Sequence, residues 1–412
     1  MRKPKLFNLL SFRRHAIIVL ALTSILLGLS FTSYAPVKTV KGLLVDTGLA
    51  VSSGPISIDS GRVVAMNGTS GLAKAVEVYD LNSASSVSFA APNGVGSSTD
   101  AIISSDKIVA VGNITSILFP FTATISYCSL PHASPVQACG PWHLLAKGLP
   151  QFSTFLGYGA PTIHGDLVAW WTVNGLAYHH FSSNVTETVS FNSPLQPEGL
   201  STNGEIITFT LSDNPNQGNN CGTLEYIDTT SGSDVPVNTG LFSCPLGMFP
   251  RTSISQYTIV FAENSTGHNR IRYFDYQRGQ ASAAGQGPLG NLTNAQAIYG
   301  DRIAFGVSET SINFDCDGDG LIQGNQQCLD YWNIRAPSYV ATTLAAQAAP
   351  SITSGVTVAI YDKTIVFQGL TGNLQYVTVP MKGDVNQDGV VDGVDKTLVN
   401  NCVGKVLKGS VC

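Results

Sequence analysis

The sequence predicts an all-β protein, a β-propeller of seven blades, and three observations lead there. One phrase recurs seven times: a turn residue, a charged or polar residue, then an aliphatic run. The copies are spaced at the interval of propeller blades. The composition, with 41 Gly and 12% charged residues, holds about half the roughly 25% charge usual in soluble proteins and suits a β-rich exported surface.

The phrase reads Gly61-Arg62-Val63-Val64-Ala65, Asp106-Lys107-Ile108-Val109-Ala110 and Gly165-Asp166-Leu167-Val168-Ala169-Trp170. It continues as Gly204-Glu205-Ile206-Ile207-Thr208-Phe209, Gln256-Tyr257-Thr258-Ile259-Val260-Phe261, Gly300-Asp301-Arg302-Ile303-Ala304-Phe305 and Asp362-Lys363-Thr364-Ile365-Val366-Phe367. A second run, Val76–Ser83 after the first copy and Ile271–Tyr276 after the fifth, alternates with a period of two, as a strand with one buried face does. The first aliphatic residues, Val63, Ile108, Leu167, Ile206, Ile259, Ile303 and Ile365, are 45, 59, 39, 53, 44 and 62 residues apart. Blades of short strands recur at roughly 40–50 residues. Evenly spaced strands also suit a pair of β-sandwiches, which is the alternative architecture.

The elements follow in chain order. Residues 1–15 are basic and Ala16–Phe31 is an apolar run, too short for a membrane span of roughly 20 residues and suited to a secretory signal over residues 1–35. Cleavage is expected after Ala35 or near Gly28-Leu29-Ser30; an uncleaved N-terminal anchor is the other reading, and the sole membrane attachment foreseen. Both place the body outside the cytoplasm or at the cell surface. Five of the 22 basic residues lie in this segment, so removing it leaves 17 against 27 acids, a balance of −10. A chain so acidic, with no basic patch, argues against nucleic acid.

Eight cysteines form four close neighbour pairs, Cys128/Cys139, Cys221/Cys244, Cys316/Cys328 and Cys402/Cys412, separated by 11, 23, 12 and 10 residues. Neighbour disulfides fit an oxidising compartment; zinc is the alternative, without any CxxC spacing to support it. The three long repeat intervals each contain one pair, so the bridges read as staples on insertions whose closure is otherwise entropically costly. Sequons at Asn67, Asn113, Asn184, Asn264 and Asn291 suit a glycoprotein. The seventh unit, Ser351–Pro380, has three strands, and Lys38–Asp46 is expected to supply the fourth and close the ring. Over residues 37–380 the recurring phrase resembles the repeats of TolB-like and related surface-protein propellers, which implies the same ring of blades.

A second motif follows the ring in residues 383–412. Asp384, Asn386, Asp388, Asp392 and Asp395 stand at positions 1, 3, 5, 9 and 12 of a loop with Gly389 at position 6, an EF-hand-like arrangement leading into a short helix. Calcium wants six to eight oxygens, and the glycine allows the sharp turn that points them inward. The expected ligands are those five side chains and the carbonyl of Val390. Over residues 383–404 this loop looks like one half of a type I dockerin, D-x-N-x-D-G-x-V-D-x-x-D, which implies a cohesin partner. Only 17 residues follow Asp395, with no second loop, and Gly393 and Val394 stand where cohesin-contacting dockerins carry Ser or Thr. The alternative is a calcium-stiffened cap closed by Cys402 and Cys412.

A second acidic loop, with Asp315, Asp317 and Asp319, begins the same way but has Gln323 and Gln326 at positions 9 and 12. It reads as a weaker calcium site helped by Glu309 or Asp330, or as a polar hairpin held by Cys316 and Cys328.

No G-x-S-x-G, Walker, G-x-G-x-x-G or H-E-x-x-H pattern is present. Ser57–Gly61 reads as a turn. His179-His180 and Trp170-Trp171, adjacent on strands, are expected to point to opposite faces, each tryptophan pair giving one core and one surface ring. The functional expectation is a secreted or cell-surface recognition module for a protein or glycan. The alternative is a polysaccharide hydrolase or lyase with a dockerin-like tail, which requires two carboxylates converging on the propeller axis.

Overall fold

A computed structural model describes residues 44–379, apart from 52–54, 68–74, 93–99, 113–121, 134, 151–160, 173, 192–195, 213–220, 234, 244–251, 266–267, 283–290, 309–325, 336–341, 349–357 and 370–371, together with residue 396. All of these belong to the unit Val37–Cys412. The leader, both acidic loops and Cys402/Cys412 lie outside the described residues.

Each copy of the recurring phrase is a tight turn feeding the second strand of a four-stranded antiparallel sheet. Strand β1 (Leu44–Ala50) precedes the first blade, β2 (Ser57–Asp59), β3 (Arg62–Asn67), β4 (Ala75–Asp80) and β5 (Ser85–Ala90). Blade 2 is β6 (Ala101–Ser104), β7 (Lys107–Gly112), β8 (Thr122–Ser129) and β9 (His143–Pro150); blade 3 is β10 (Thr162–His164), β11 (Leu167–Thr172), β12 (Gly175–His180) and β13 (Val185–Ser190). Blade 4 is β14 (Gln196–Thr202), β15 (Ile206–Ser212), β16 (Gly222–Asp228) and β17 (Val237–Ser243); blade 5 is β18 (Thr252–Ser255), β19 (Thr258–Ser265), β20 (His268–Asp275) and β21 (Gln280–Ala281). Blade 6 is β22 (Asn291–Tyr299), β23 (Arg302–Ser308), β24 (Gln326–Asn333) and β25 (Thr342–Ala348), and blade 7 has β26 (Val358–Tyr361), β27 (Thr364–Gln368) and β28 (Asn373–Thr378).

The fourth strand of blade 7 is β1, in the order β1-β28-β27-β26. The ring is thus closed by the start of the described chain, as expected: the described strand shares Leu44–Asp46 with the expected segment and runs on to Ala50, pairing from Leu44↔Val377 to Ala50↔Asn373. The inner strands β2, β6, β10, β14, β18, β22 and β26 neighbour one another in sequence, and β26 returns to β2. The architecture is a seven-bladed propeller.

Burial lies between blades. The second strand faces a neighbour on each side, so both of its faces are apolar: Val63 and Ala65 pack toward blade 7, Val64 and Met66 toward blade 2. Seven apolar clusters result, one per seam. This two-sided burial corrects the expectation for Trp170-Trp171. Both are buried, Trp170 against blade 2 and Trp171 edge-on to Phe209 of blade 4.

The register also corrects the alignment of two repeats. An inner-strand residue pairs with the second strand as Ile58↔Val63, Ile103↔Ile108, Ile163↔Val168, Thr202↔Ile207, Ile254↔Ile259, Ile298↔Ile303 and Ile360↔Ile365. Leu167 and Ile206, the first aliphatics of their copies, therefore sit one residue early and face the following blade instead of the preceding one. A one-residue offset flips a strand side chain to the other face.

One backbone bond repeats in every blade: the first N–H after the third strand donates to the last carbonyl of the first turn. The pairs are Leu81–Gly61, Leu130–Asp106, Phe181–Asp166, Thr229–Glu205, Tyr276–Tyr257, Ile334–Asp301 and Val379–Lys363. Cys128 and Cys139 are bridged, with their Cα atoms 5.8 Å apart, across the β8–β9 connection. That connection carries Trp142, whose indole N–H donates to Ala90 O of blade 1 at 3.0 Å. Cys221 and Cys328 are also disulfide-bonded; their expected partners, Cys244 and Cys316, lie outside the described residues.

The latch strand has an internal twin. Val45-Asp46-Thr47-Gly48-Leu49 and Val237-Asn238-Thr239-Gly240-Leu241 build the same outer-strand bulge, with Gly48 and Gly240 both at φ 72°. Gly48 N–H donates to Asp46 Oδ1 at 2.8 Å and Gly240 N–H to Asn238 Oδ1 at 2.7 Å. The threonine hydroxyls donate to Leu374 O and Leu224 O, both at 2.8 Å. Bulges on edge strands twist them away from further pairing.

Two predictions follow from these contacts. The Gly48 N–H, then Gln375 and Asn373 across the latch, hold the Asp46 carboxyl below its ordinary value despite some desolvation. A depressed carboxyl contributes stability that is present above its unfolded pKa of about 3.9 and is lost as pH falls through the folded value. The variant Asp46→Asn, which copies Asn238, should therefore lose less stability than the native chain between pH 4.5 and pH 2.5; parallel melting curves across that range would contradict this.

In the β4–β5 turn Ala84 adopts φ 48°, where the equivalent residues of blades 3, 4 and 5 are Asn184, Gly232 and Gly279. A non-glycine residue in this region costs roughly 1–2 kcal/mol. Ala84→Gly is expected to raise the melting temperature by about 2 °C, and calorimetry showing a decrease would refute the assignment of strain.

Candidate functional site

Antiparallel order gives the ring two faces. The connections from first to second strand and from third to fourth leave from one end of every blade, called here the turn face. The other two kinds leave from the opposite end. Asp315, Asp317 and Asp319 fall between β23 and β24, whose flanking residues Ser308 and Gln327 pair at that opposite end. Asp330, offered as a helper for this loop, is 1% exposed within β24. Most turn-face connections are described, and the site is built from them.

At the axis, one residue at the end of each inner strand stands beside the mouth: Asp59, Ser104, His164, Ser255, Tyr299 and Tyr361, and in blade 4 Asn203, just past the end of β14. An inner strand exposes an unpaired edge, and side chains of the preceding blade satisfy it. Ser57 Oγ accepts from Ile103 N–H at 3.1 Å, Ser201 Oγ from Ile254 N–H at 3.3 Å and Ser253 Oγ from Ile298 N–H at 3.2 Å. One step nearer the mouth, Asp59 accepts from Ser105 N–H at 2.6 Å, Ser104 from Gly165 N–H at 2.9 Å and Ser255 from Gly300 N–H at 2.8 Å. Blades 6 and 7 have Ala297 and Ala359 at the first position and tyrosines at the second. Tyr299 and Tyr361 pack with centroids 4.8 Å apart, and the Tyr361 hydroxyl lies 3.3 Å from Ser60 Oγ. Burial, then the neighbouring Tyr361, pushes the Tyr299 hydroxyl up. Ser57–Gly61, expected as a turn, is thus strand β2 and the turn after it, and Asp59 ties blade 1 to blade 2.

The described inner strands hold two acids, Asp59 and Glu198. They stand at opposite strand ends, Asp59 opposite Arg62 beside the turn and Glu198 near the start of β14. Five strand residues separate such positions by roughly 15 Å, so these two do not meet at the mouth.

A second repeated phrase, unnoticed in the sequence, lines the blade seams. Third strands read Ser126-Tyr127-Cys128-Ser129, Ala177-Tyr178-His179-His180, Glu225-Tyr226-Ile227-Asp228, Arg272-Tyr273-Phe274-Asp275, Asp330-Tyr331-Trp332-Asn333 and Gln375-Tyr376-Val377-Thr378. The tyrosine pairs in register with a second-strand residue facing the next blade, as in Val109↔Tyr127 and Thr208↔Tyr226. Blade 1 has Val78 there.

At the seam of blades 2 and 3, Tyr127 stacks on His143 at 5.1 Å and meets Phe181 edge-on at 4.9 Å. Lys107 Nζ lies 5.2 Å from the centre of the Phe181 ring. His179 and His180 do point apart, as expected. His179 is buried, donates to or accepts from Thr186 at 2.9 Å, and is held below its ordinary pKa by burial and then by His180. His180 faces Asp166 at 3.5 Å. Burial opposes ionisation of Asp166, but the Ser182 hydroxyl and N–H, both at 2.6 Å, and His180 hold its carboxyl low.

At the seam of blades 4 and 5, Tyr226 and Tyr257 flank Tyr276 at 5.7 and 6.0 Å. Asn203 Nδ2 donates to Gln256 O at 2.6 Å, and Tyr257 is 49% exposed. The turn face thus offers fixed aromatic rings, partly open to solvent and interleaved with hydroxyl, amide and charged groups. Among the described residues no group of three or more His, Cys, Asp or Glu is arranged to hold a metal. The residues expected to bind calcium, Asp384, Asn386, Asp388, Val390, Asp392 and Asp395, lie outside the described residues, as do Asp315, Asp317 and Asp319. Of the sequons, Asn184 is exposed in the β12–β13 turn at φ 54°, and Asn67 ends β3.

No family model matches this chain, and no curated protein sequence matches it. Solved structures do. A chain of a mitotic checkpoint complex is 13% identical, with a TM-score of 0.50 over 85% of this chain and 98% of that one. BamB from Moraxella catarrhalis is 12% identical over 84% of this chain and 96% of its own, with a TM-score of 0.44. The β-propeller domain of the Trilobed protease from Pyrococcus furiosus is 9% identical over 77% and 90%, with a TM-score of 0.46. At such identities the likeness is one of fold alone.

Proposed function

We propose that this protein is a non-catalytic recognition module, exported to the cell surface or beyond, that presents its turn face to a protein or glycan partner. The observation that carries this reading is the set of partly exposed aromatic rings held across blade seams, Tyr127, His143 and Phe181 on one side and Tyr226, Tyr257 and Tyr276 on another. Their backbones sit in paired strands and in the short hydrogen-bonded turns beside them, so binding orders little and its entropic cost is small. Rings with adjacent polar groups suit both protein hot spots and the C–H faces of sugars.

Calcium belongs to the same proposal. The donor set Asp384, Asn386, Asp388, Asp392 and Asp395 with the carbonyl of Val390 consists of oxygens at EF-hand spacing, the chemistry a hard cation requires. The ion stiffens the C-terminal segment, and a second one at Asp315, Asp317 and Asp319 stiffens the insertion between β23 and β24. Export rests on the basic-apolar leader and the paired cysteines. The half-dockerin leaves cohesin as a candidate partner of the tail, and glycosylation falls on the sequons.

Two measurements test this. Calorimetric titration should find two calcium ions per chain, one after the pair Asp317→Asn and Asp319→Asn, and one after Asp384→Asn with Asp388→Asn; unchanged stoichiometry would remove the corresponding loop. Glycan and extracellular-protein arrays should yield a ligand whose binding is weakened about tenfold by Lys107→Ala with His143→Ala and left alone by Phe242→Ser on the outer strand β17. Release of product from a polysaccharide in the same screen would replace recognition by catalysis.

A further inference from the structure

Two seams of the turn face follow one plan and differ in their cation. Tyr127 and Tyr226 occupy the same third-strand position, opposite Val109 and Thr208. Phe181 and Tyr276 occupy the same position after the third strand of the following blade, each donating its N–H to the preceding turn. The ring pairs are alike, 4.9 Å apart in one seam and 5.7 Å in the other. In the seam of blades 2 and 3 the chain supplies its own cation, Lys107, over the Phe181 face. The matching residue in blade 4, just before Ile207 in register, is Ile206, which is 4% exposed and packed beneath the rings.

The seam of blades 4 and 5 therefore keeps the aromatic faces, and among the described residues no cation lies over them. It adds a third ring, Tyr257, 6.0 Å from Tyr276 and 49% exposed. Its charge is negative. Glu205 is exposed on the turn beside the rings, and no ion pair to its carboxylate exists among the described residues. Asp228 is engaged by Thr230 at 2.7 Å. The cation on the neighbouring turn, Arg278, is paired with Asp275 at 3.6 Å. Aromatic faces carry negative potential and attract ammonium and guanidinium groups, most strongly with a carboxylate nearby.

We propose that the seam of blades 4 and 5, formed by Tyr226, Tyr257, Tyr276 and Glu205, receives a lysine or arginine side chain from a basic segment of a partner protein. This rests on the recognition reading of the turn face and gives it a partner chemistry. The segment replaces, from outside, the cation that Lys107 provides from within two blades away.

The test uses the full chain and a fluorescent nona-arginine peptide, with nona-glutamate and a neutral cello-oligosaccharide as controls. Tyr257 and Glu205 are exposed, so their variants should fold, and circular dichroism checks this. Tyr257→Ala leaves the net charge unchanged and should weaken nona-arginine binding roughly 3- to 30-fold, whereas Tyr257→Phe should stay within about twofold because the ring is retained. Glu205→Gln should weaken binding at low salt and flatten its salt dependence. Equal affinity of the native chain and Tyr257→Ala would reduce the binding to general charge attraction and overturn the proposal, as would no binding at millimolar peptide. Preference for the cello-oligosaccharide at this seam would also overturn it while leaving the recognition reading standing. An array ligand lost in Lys107→Ala with His143→Ala but indifferent to Tyr257→Ala would do the same; absence of any turn-face ligand would fail the recognition reading itself.

Discussion

Everything in this structure depends on closing the ring. Each second strand is apolar on both faces, so a blade is stable only with a neighbour on either side. The apolar interior is distributed among seven seams instead of one central core, and an open chain of blades would leave two of those surfaces in water. Pairing of β1 with β28 completes the last blade and brings Val366 and Leu374 of blade 7 against Ile58, Val63 and Ala65 of blade 1. That contact joins residues about as far apart in the chain as the described fold allows, so its loop-closure entropy must be offset by all the seams at once. The Asp-Thr-Gly bulge gives the latch strand the same local geometry as an outer strand made inside a blade.

The seams hold the disc together and also furnish its surface chemistry. Serine and aspartate side chains from one inner strand satisfy the N–H groups of the next, which leaves few free backbone groups around the mouth. Tyrosines at a repeated third-strand position bury their ring edges between blades and bring their hydroxyl ends near solvent. Tyr178, in the seam of blades 3 and 4, is buried outright, whereas Tyr226 and Tyr276 are only half-buried. One structural device therefore buries its ring in one seam and leaves it half open in another. Blade identity at the turns, Lys107 in one seam and Ile206 in another, makes seven similar joints chemically unlike.

How much was legible beforehand can be judged from particular residues. The aliphatic runs at Val63, Ile108, Ile259, Ile303 and Ile365 marked second strands correctly, because a strand buried on both sides is a continuous apolar run in any reading. Leu167 and Ile206 misled by one residue, since two-sided burial removes the alternation that would have shown which face each side chain takes. The same cause hid the burial of both Trp170 and Trp171. The tyrosine phrase of the third strands was present in plain letters, but its meaning lay in pairing opposite a residue aimed at the next blade. The latch was found in the right place along the chain, sharing Leu44–Asp46 with the described strand; the Thr-Gly-Leu shared with blade 4 was the signal for its continuation to Ala50.

By itself the sequence determined the number of blades, the all-β class, the near-neighbour pairing of Cys128 with Cys139 and the donor spacing of two acidic loops, because each of these is a local pattern of burial, turn or reach. Only the tertiary structure decided which residues share a seam, which end of the disc gathers the aromatic rings, and that Tyr226, Tyr257 and Tyr276 stand together beside Glu205. Those relations join strands of different blades, and strand register across a ring is set by the packing of all its members together, a property that no single segment carries.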